Sequence, residues 1–585
     1  MSGGPEAGNA VAMPGDPTVT VERDVPCRMR DGVVLLADVY RPADADGALP
    51  VILMRLPYDK TQAENLAYAH PSWYARHGYV VVVQDVRGRC ASEGEWYPFA
   101  HEAEDGYDTI EWAARLPGAN GKVGMYGFSY VGQTQLLPAV LQPPSLVSLC
   151  PGMTASQPYE GWTYNGGALE LAFVGTWTLD LAAGQARRAG DEAELARLGA
   201  ALGNAAGPLR ALPLDGFPPL ERATTPWFFD WLDHPTYDDY WRRWSVDEDY
   251  APLRRYPSLH IGGWYDIFLA GTVRNFLGMR SGPGADAASQ RLLIGPWYHM
   301  PWVPLDSAGG EPAGAGVVDD WQLAWFDHTL RGEAFGGPDA PVSVRLMNDT
   351  RWRHYADWPP PGSTPTPFYL HSKGRANSAQ GDGTLTDDAP TGAEPVDVFT
   401  YDPQIPSPSL GGQSCCYPFI SPMGPVDQGP AEQWNGIVVY TGEPLAADLL
   451  LVGEASVTLW AATSAADTDW TARLCHVDPA GRSVNIKAGI VRARCRASTS
   501  APTPVTPGEA VRYEIALGPV GTRVPAGHRL RLDVASSDFP HWDRNLNSGG
   551  PLFREGIGAA VVATQTILHD ADHPSCVVLP VLREG

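Results

Sequence analysis

Cysteine is scarce in this chain, with eight in 585 residues, and no two of them form the Cys-x-x-Cys pair of a zinc site. Free thiols are therefore the expectation. Cys415 and Cys416 are adjacent, which admits redox chemistry, although ordinary packing is the simpler reading. Basic charge is also in deficit: 42 Lys and Arg face 67 Asp and Glu, a formal charge of −25. A chain so acidic is a poor partner for nucleic acid. No stretch offers the roughly 20 uninterrupted apolar residues of a membrane-spanning helix. The first 17 residues contain neither Lys nor Arg and lack the apolar core of a secretory signal. A flexible tail over 1–17, a cytoplasmic location and no membrane partner follow as expectations.

Hydrophobic residues, by contrast, make up 44% of the chain, with 20 Trp, 23 Tyr and 15 Phe. That is ample for large cores and excludes disorder. At about 150 residues per domain the length allows two to four domains. The N-terminal part alternates buried-strand runs, LPVILMRLP and GYVVVVQDV, with helical spacing in GYDTIEWAARLP, so it reads as α/β with a parallel sheet. From 158 to 249 the text becomes helical and then aromatic, an insertion. Strand text returns in SLHIGGWYD and RLLIGPWYH. The α/β part is thus 18–157 plus 250–340. Beyond 340, short alternating segments such as VRYEIAL and RLRLDVASS favour a β-sandwich over 341–585. The Pro/Gly-rich PPPGSTPTP reads as the linker into it.

KVGMYGFSYVGQTQ places a strand, a glycine-flanked turn bearing Ser129, and a helix, the arrangement of a nucleophile elbow. The general G-x-S-x-G pattern is broken, because Val131 stands where the second glycine belongs and Gly132 follows it. A serine hydroxyl needs an imidazole to take its proton and a carboxylate to orient that imidazole. In α/β-hydrolases these follow in the order Ser, acid, His, at the carboxyl ends of later strands. Asp266 ends one such strand and His299 the next. His260 and His328 have structural readings. Asp85 and Arg87, in VQDVRGR, read as a turn-fixing pair, and the acidic clusters DDY and DEDY as solvated rather than calcium-binding.

The stretches MRDGVVLLADVYRP, RLPYDK, VQDVRGRCASEGE, GMYGFSYVGQTQ, GGWYDIF and IGPWYH together resemble the bacterial cocaine esterase, or CocE/NonD, family of hydrolases. Weaker likeness continues in HPTYDDYW and SSDFPHWDRNLNSGG. The family's G-x-S-Y-x-G form accounts for Gly132. The resemblance implies an α/β-hydrolase domain with an inserted helical cap and a C-terminal jelly roll. It also implies Ser129 as nucleophile, His299 as base, Asp266 as orienting acid, and Tyr58 with the Tyr130 N–H as oxyanion donors. No metal or cofactor is implied. Trp162, Trp177 and Phe268 fall at acyl-pocket positions, suggesting an apolar or aromatic acyl group, and Cys416 and Tyr417 lie in a loop reaching over the site.

The partner so implied is a small-molecule ester or amide, and a homo-oligomer stays open. Related α-amino-acid ester hydrolases carry an acidic pair two and three residues after the catalytic acid, where this chain has Phe268 and Leu269. That weakens a grip on a substrate ammonium, as in those enzymes or a dipeptidyl peptidase, unless Glu160 or Asp180 supplies the carboxylate. Acyl transfer to another acceptor, and a silent binding protein on a hydrolase scaffold, remain alternatives.

Overall fold

The computed structural model describes residues 17–62, 68–300 and 316–583; nearly all of the expected N-terminal tail lies outside them. The α/β part is built on one ten-stranded sheet. Its strands are β1 (Val19–Arg28), β2 (Val34–Pro42), β3 (Leu49–Leu56), β4 (Val80–Asp85), β5 (Ala119–Phe128), β6 (Leu146–Gly152), β9 (Ser258–Tyr265), β10 (Gln290–Tyr298), β11 (Val342–Arg345) and β12 (Trp352–Tyr355), while β7 (Tyr164–Asn165) and β8 (Ala168–Leu169) form a small ribbon. The order is β1-β2-β4-β3-β5-β6-β9-β10-β11-β12. The pairs from β4 across to β11 are parallel. Such strands are covered on both faces, and β4, VVVVQD, is buried at every position. The sequence reading of LPVILMRLP and GYVVVVQDV as buried strands corresponds to β3 and β4.

The helices are α1 (Pro71–Arg76), α2 (Glu102–Ala113), α3 (Tyr130–Val140), α4 (Leu171–Ala189), α5 (Glu192–Gly203), α6 (Pro226–Asp233), α7 (Asp239–Arg242), α8 (Leu269–Arg280) and α9 (Gly316–Phe326). Helices α4 to α7 lie between β6 and β9 in the chain. The continuous helical text of this insertion breaks into two helices because Gly190 adopts φ +70° at the end of α4 and the Asp191 carboxylate caps α5 by accepting from the Glu194 N–H. None of the described helices is long and apolar enough to cross a membrane.

The C-terminal part is mostly antiparallel β structure, an 11-stranded sheet running from Ser363–His371 to Cys576–Leu582. Here the linker reading is corrected. Ser363–Pro367 is a strand, paired antiparallel with Val578–Leu582. Prolines 365 and 367 are tolerated because that stretch has a ladder partner on one side, the partner on the other side beginning at Tyr369.

The two parts are clamped through the DFPHWDRN segment. Asp543 Oδ1 accepts from the Leu169 N–H at 2.7 Å and Trp542 Nε1 donates to Glu170 Oε1 at 2.9 Å. Arg492, fully buried, bridges Asp543 to Asp469. Guanidinium forks between carboxylates compensate the burial of their charges, so loss of one partner is far costlier than the net worth of the pair.

Candidate active site

Ser129 occupies the tip between β5 and α3 with φ 65° and ψ −132°, a backbone that L residues rarely adopt. The glycines on either side explain how it fits. A Cβ on Gly127 would sit 2.2 Å from Val131 Cγ1, and one on Gly132 would sit 2.5 Å from Thr154 Cβ. Gly127 thus makes room for the valine that broke the general motif, and Gly132 lets α3 close onto the β6 loop. The Ser129 N–H donates to Gly152 O and Met153 O at 3.0 and 3.1 Å, and Thr154 Oγ1 donates to Ser129 O at 2.8 Å. The Ser129 main chain is therefore tied down on both sides.

Asp266 and His299 are the residues directly after β9 and β10, and parallel pairing of those strands brings them together although 33 positions separate them. His299 Nδ1 lies 2.8 Å from Asp266 Oδ1, and each side chain is at most 1% exposed. Phe128 and Phe268 hold the imidazole, with ring centroids 5.4 and 5.2 Å away. A carboxylate on Nδ1 fixes the tautomer that leaves Nε2 basic.

Tyr58 follows β3, and its hydroxyl is a hydrogen-bond partner of the Ser129 side chain; burial pushes its phenol up to about 12. A phenol that stays protonated can donate, and its oxygen in turn accepts from Trp177 Nε1 at 3.0 Å. Tyr130 is the first residue of α3, so its N–H is one of those with no intrahelical acceptor. Its own hydroxyl is engaged elsewhere, donating to Glu102 Oε1 at 2.8 Å and accepting from the Phe99 N–H at 2.9 Å.

Ser129, His299, Tyr58, Trp177, Asp180, Cys416 and Tyr417 all border one cavity of about 900 Å³. Trp162 and Phe268 do not border it. They stack on each other with centroids 4.6 Å apart, and both are fully buried, forming a layer behind Trp177 and His299. Of the two cap carboxylates, Asp180 faces the cavity with Tyr417 as hydrogen-bond partner, and burial holds it above the usual carboxylate range against the opposing pull of Arg89, Arg187 and that contact. Glu160 instead accepts from the Gly166 N–H at 3.1 Å.

Several readings need correction or completion. Cys415 and Cys416 are joined by a disulfide, while the other six cysteines are free thiols; adjacency puts the two sulfurs within reach, but sequence does not choose between thiol and disulfide. Asp85 and Arg87 are not each other's partners. Asp85 accepts from the Lys60 N–H at 2.7 Å, and Arg87 grips Asp105 at 2.6 and 2.8 Å. His260 is buried beside Gln290 at 3.1 Å and burial pushes it down to about 4, while His328 Nδ1 lies 2.7 Å from Glu333 O. In the acidic clusters Asp238 caps α7 and Asp247 accepts from Gln157 Nε2 at 2.9 Å.

One contributor had no signal in the motifs. Lys487, from the C-terminal sheet, is buried, and that burial pushes its ammonium down to about 8 against the opposing pull of Asp266 and Glu454. The same sheet reaches the acid through an Asp266–Ser414 bridge and a Tyr265 hydroxyl donating to Asn485 O at 2.6 Å.

A strained serine between strand and helix, with an aspartate-supported histidine on the same cavity, is the arrangement of a serine hydrolase on the α/β-hydrolase fold. Comparisons with known proteins agree. Residues 31–301 match the X-Pro dipeptidyl-peptidase (S15 family) domain and residues 335–578 the X-Pro dipeptidyl-peptidase C-terminal non-catalytic domain. The chain is 37% identical to cocaine esterase of Rhodococcus sp. (strain MB1 Bresler) over 97% of its own length and 100% of that protein's. It belongs to the S15-type CocE/NonD family of hydrolases, and is a serine ester hydrolase. The fold is shared with an aminopeptidase from a marine sediment Thaumarchaeota archaeon (TM-score 0.80, 22% identity, 100% and 99% of the two chains). It is also shared with an α-amino acid ester hydrolase (TM-score 0.77, 24% identity, 99% and 100%).

Proposed function

We propose that this chain cleaves a small carboxylic ester with an apolar or aromatic acyl group, through an acyl-enzyme on Ser129. The observation that carries this reading is the shared cavity of Ser129, Tyr58 and His299, with His299 Nδ1 2.8 Å from Asp266 Oδ1.

In this mechanism His299 takes the Ser129 proton on Nε2 as the oxygen attacks the ester carbonyl, and Asp266 stabilises the imidazolium. The carbonyl oxygen becomes an oxyanion that receives the Tyr58 O–H and the Tyr130 N–H, reinforced by the positive end of α3. Collapse of the tetrahedral adduct breaks the ester C–O bond, and His299 gives its proton to the departing alcohol. Water, deprotonated by His299, then attacks the acyl-serine and releases the acid. Trp177, flat and on the cavity wall, supplies stacking surface for the acyl group. Benzoyl and acetyl esters of one alcohol test the reading: Ser129→Ala is expected to abolish both, and the wild type to favour benzoyl in kcat/KM. Unchanged hydrolysis by Ser129→Ala would overturn it.

A second reading has its own observation. The Asp180 carboxylate on the cavity wall suits a substrate ammonium, as in an amino-acid ester or a peptide. Asp180→Asn would then raise KM for an α-amino ester and leave a neutral ester unaffected.

A further inference from the structure

Adjacent cysteines beside this site take no step in the ester cleavage proposed above. They sit on the loop that crosses from the C-terminal sheet, anchored by the Asp266–Ser414 bridge just before them and by the Tyr417 N–H donating to Cys415 O at 2.8 Å just after. Cys415 is 2% exposed, whereas Cys416 borders the catalytic cavity and holds a φ of +74°, rare for a residue with a side chain. The loop therefore places its sulfurs at one spot. That spot faces the catalytic imidazole: a His299 ring nitrogen and the two sulfurs all lie within 4.8 Å of one another.

As a disulfide, the pair offers only weak ligands. Reduction changes the donor set. When a dithiol attacks, the Cys415–Cys416 bond breaks, the reductant's own disulfide forms, and two electrons and two protons pass to the pair, giving two thiols. Two thiols that can shed their protons, beside an imidazole nitrogen, are the soft donors that select a thiophilic divalent cation. The supporting contact is already built. His299 Nδ1 is held by Asp266 at 2.8 Å, the carboxylate–histidine arrangement that orients a metal-binding imidazole through its other nitrogen.

We propose that the reduced Cys415–Cys416 pair forms with His299 a three-ligand site for a thiophilic divalent cation such as Zn²⁺, closed while the disulfide is intact. Binding releases two protons from the thiols and occupies the nitrogen that would serve as base, so the cation stops hydrolysis in the reduced protein alone. The site is independent of which acyl group the cavity accepts.

Four measurements on the full chain test this. Thiol titration after denaturation without reductant should count six thiols, the number of cysteines outside the pair, and eight after reduction; eight before reduction would overturn the gating. Dithiol-reduced protein, freed of reductant without air, should bind about one Zn²⁺ per chain, and Co²⁺ in its place should give a thiolate charge-transfer band. Oxidised protein should give neither, and equal binding by both forms would overturn the proposal. Cys415→Ala and His299→Gln, checked for native circular dichroism, should each weaken Co²⁺ binding at least about tenfold, and no weakening by either would exclude the three-ligand site. Zn²⁺ should cut ester turnover of reduced wild type about tenfold or more, reversibly by chelator, while Cys415→Ala changes less than about twofold relative to its own metal-free rate. Stoichiometric binding without inhibition would show that His299 is not a ligand and sink the inference, whatever the outcome for Ser129→Ala.

Discussion

Ser129, His299 and Asp266 at the sheet edge have a near copy in the C-terminal sheet. There Ser372 Oγ lies 3.1 Å from His569 Nε2, and His569 Nδ1 lies 3.0 Å from Glu394 Oε2. A serine, an imidazole and a carboxylate stand together in both, with Ser129 and His299 on one cavity and Asp266 on the imidazole in the first, yet the surroundings differ. His569 Nε2 is also 3.0 Å from Asp397 Oδ2, which accepts from Ser372 Oγ and from the Tyr440 hydroxyl at 2.8 Å each. Burial disfavours the imidazolium, but Asp397 and Glu394 outweigh it and hold His569 above its ordinary value. An imidazole carrying protons on both nitrogens cannot take one from serine. Ser372, moreover, already donates to a carboxylate, and it does not border the cavity that holds Ser129. A distance pattern becomes a nucleophile only where one ring nitrogen can accept, the serine faces space for a substrate, and donors await the oxyanion.

Substitutions can break this contrast. The largest effect is expected at the two serines: Ser129→Ala should lower kcat by about 10⁴-fold or more, while Ser372→Ala leaves kcat/KM within about twofold. Fluorophosphonate labelling followed by peptide mass spectrometry should find the adduct on Ser129 and none on Ser372; a Ser372 adduct would erase the distinction. Next come the acids. Asp266→Asn should cost about 10⁴-fold in kcat by holding the wrong tautomer, whereas Asp397→Asn should leave steady-state kinetics intact and lower stability by about 3–5 kcal/mol in urea unfolding.

A smaller loss is expected at the phenol. Tyr58→Phe should reduce kcat about 10²–10³-fold with little change in substrate affinity, and a change confined to KM would remove Tyr58 from the oxyanion site. The smallest effect sharpens the comparison through pH. Because folding raises the His569 value, its contribution to stability is complete below the unfolded imidazole value of about 6.5 and is lost as pH rises through the raised native value. The thermal midpoint of the wild type should decline across that window. His569→Gln, less stable at the outset, should lack that part of the decline, and parallel curves for the two proteins would refute the charged assignment.

Much of the catalytic half was legible because its signals are local. Four consecutive valines make a doubly covered strand, and glycines at 127 and 132 mark a backbone that a Cβ would obstruct. Strand ends at Asp266 and His299 could be placed in order, since parallel strands deliver their carboxyl ends to one edge. Readings that failed were those whose outcome depends on distant chain. PPPGSTPTP looked like a linker because proline lacks a ladder donor, but Ser363–Pro367 is paired on one side only and asks for donors on that side alone. Trp162 and Phe268 matched pocket positions, and their mutual stacking placed them one layer behind the wall. Asp85 and Arg87, two residues apart, found separate partners in Lys60 and Asp105.

From its residue order alone this protein fixed its periodicities, the strained glycine-flanked turn, and the succession of serine, aspartate and histidine, because propensity and sterics act over a few neighbouring residues. Tertiary structure decided which serine–imidazole–carboxylate set faces a cavity, that Lys487 and the Cys415–Cys416 disulfide come to Asp266 and His299 from the C-terminal part, and which carboxylate in the cap borders that cavity. Those outcomes rest on burial and charge pairing between segments hundreds of residues apart, and such energies exist only once the chain has closed on itself.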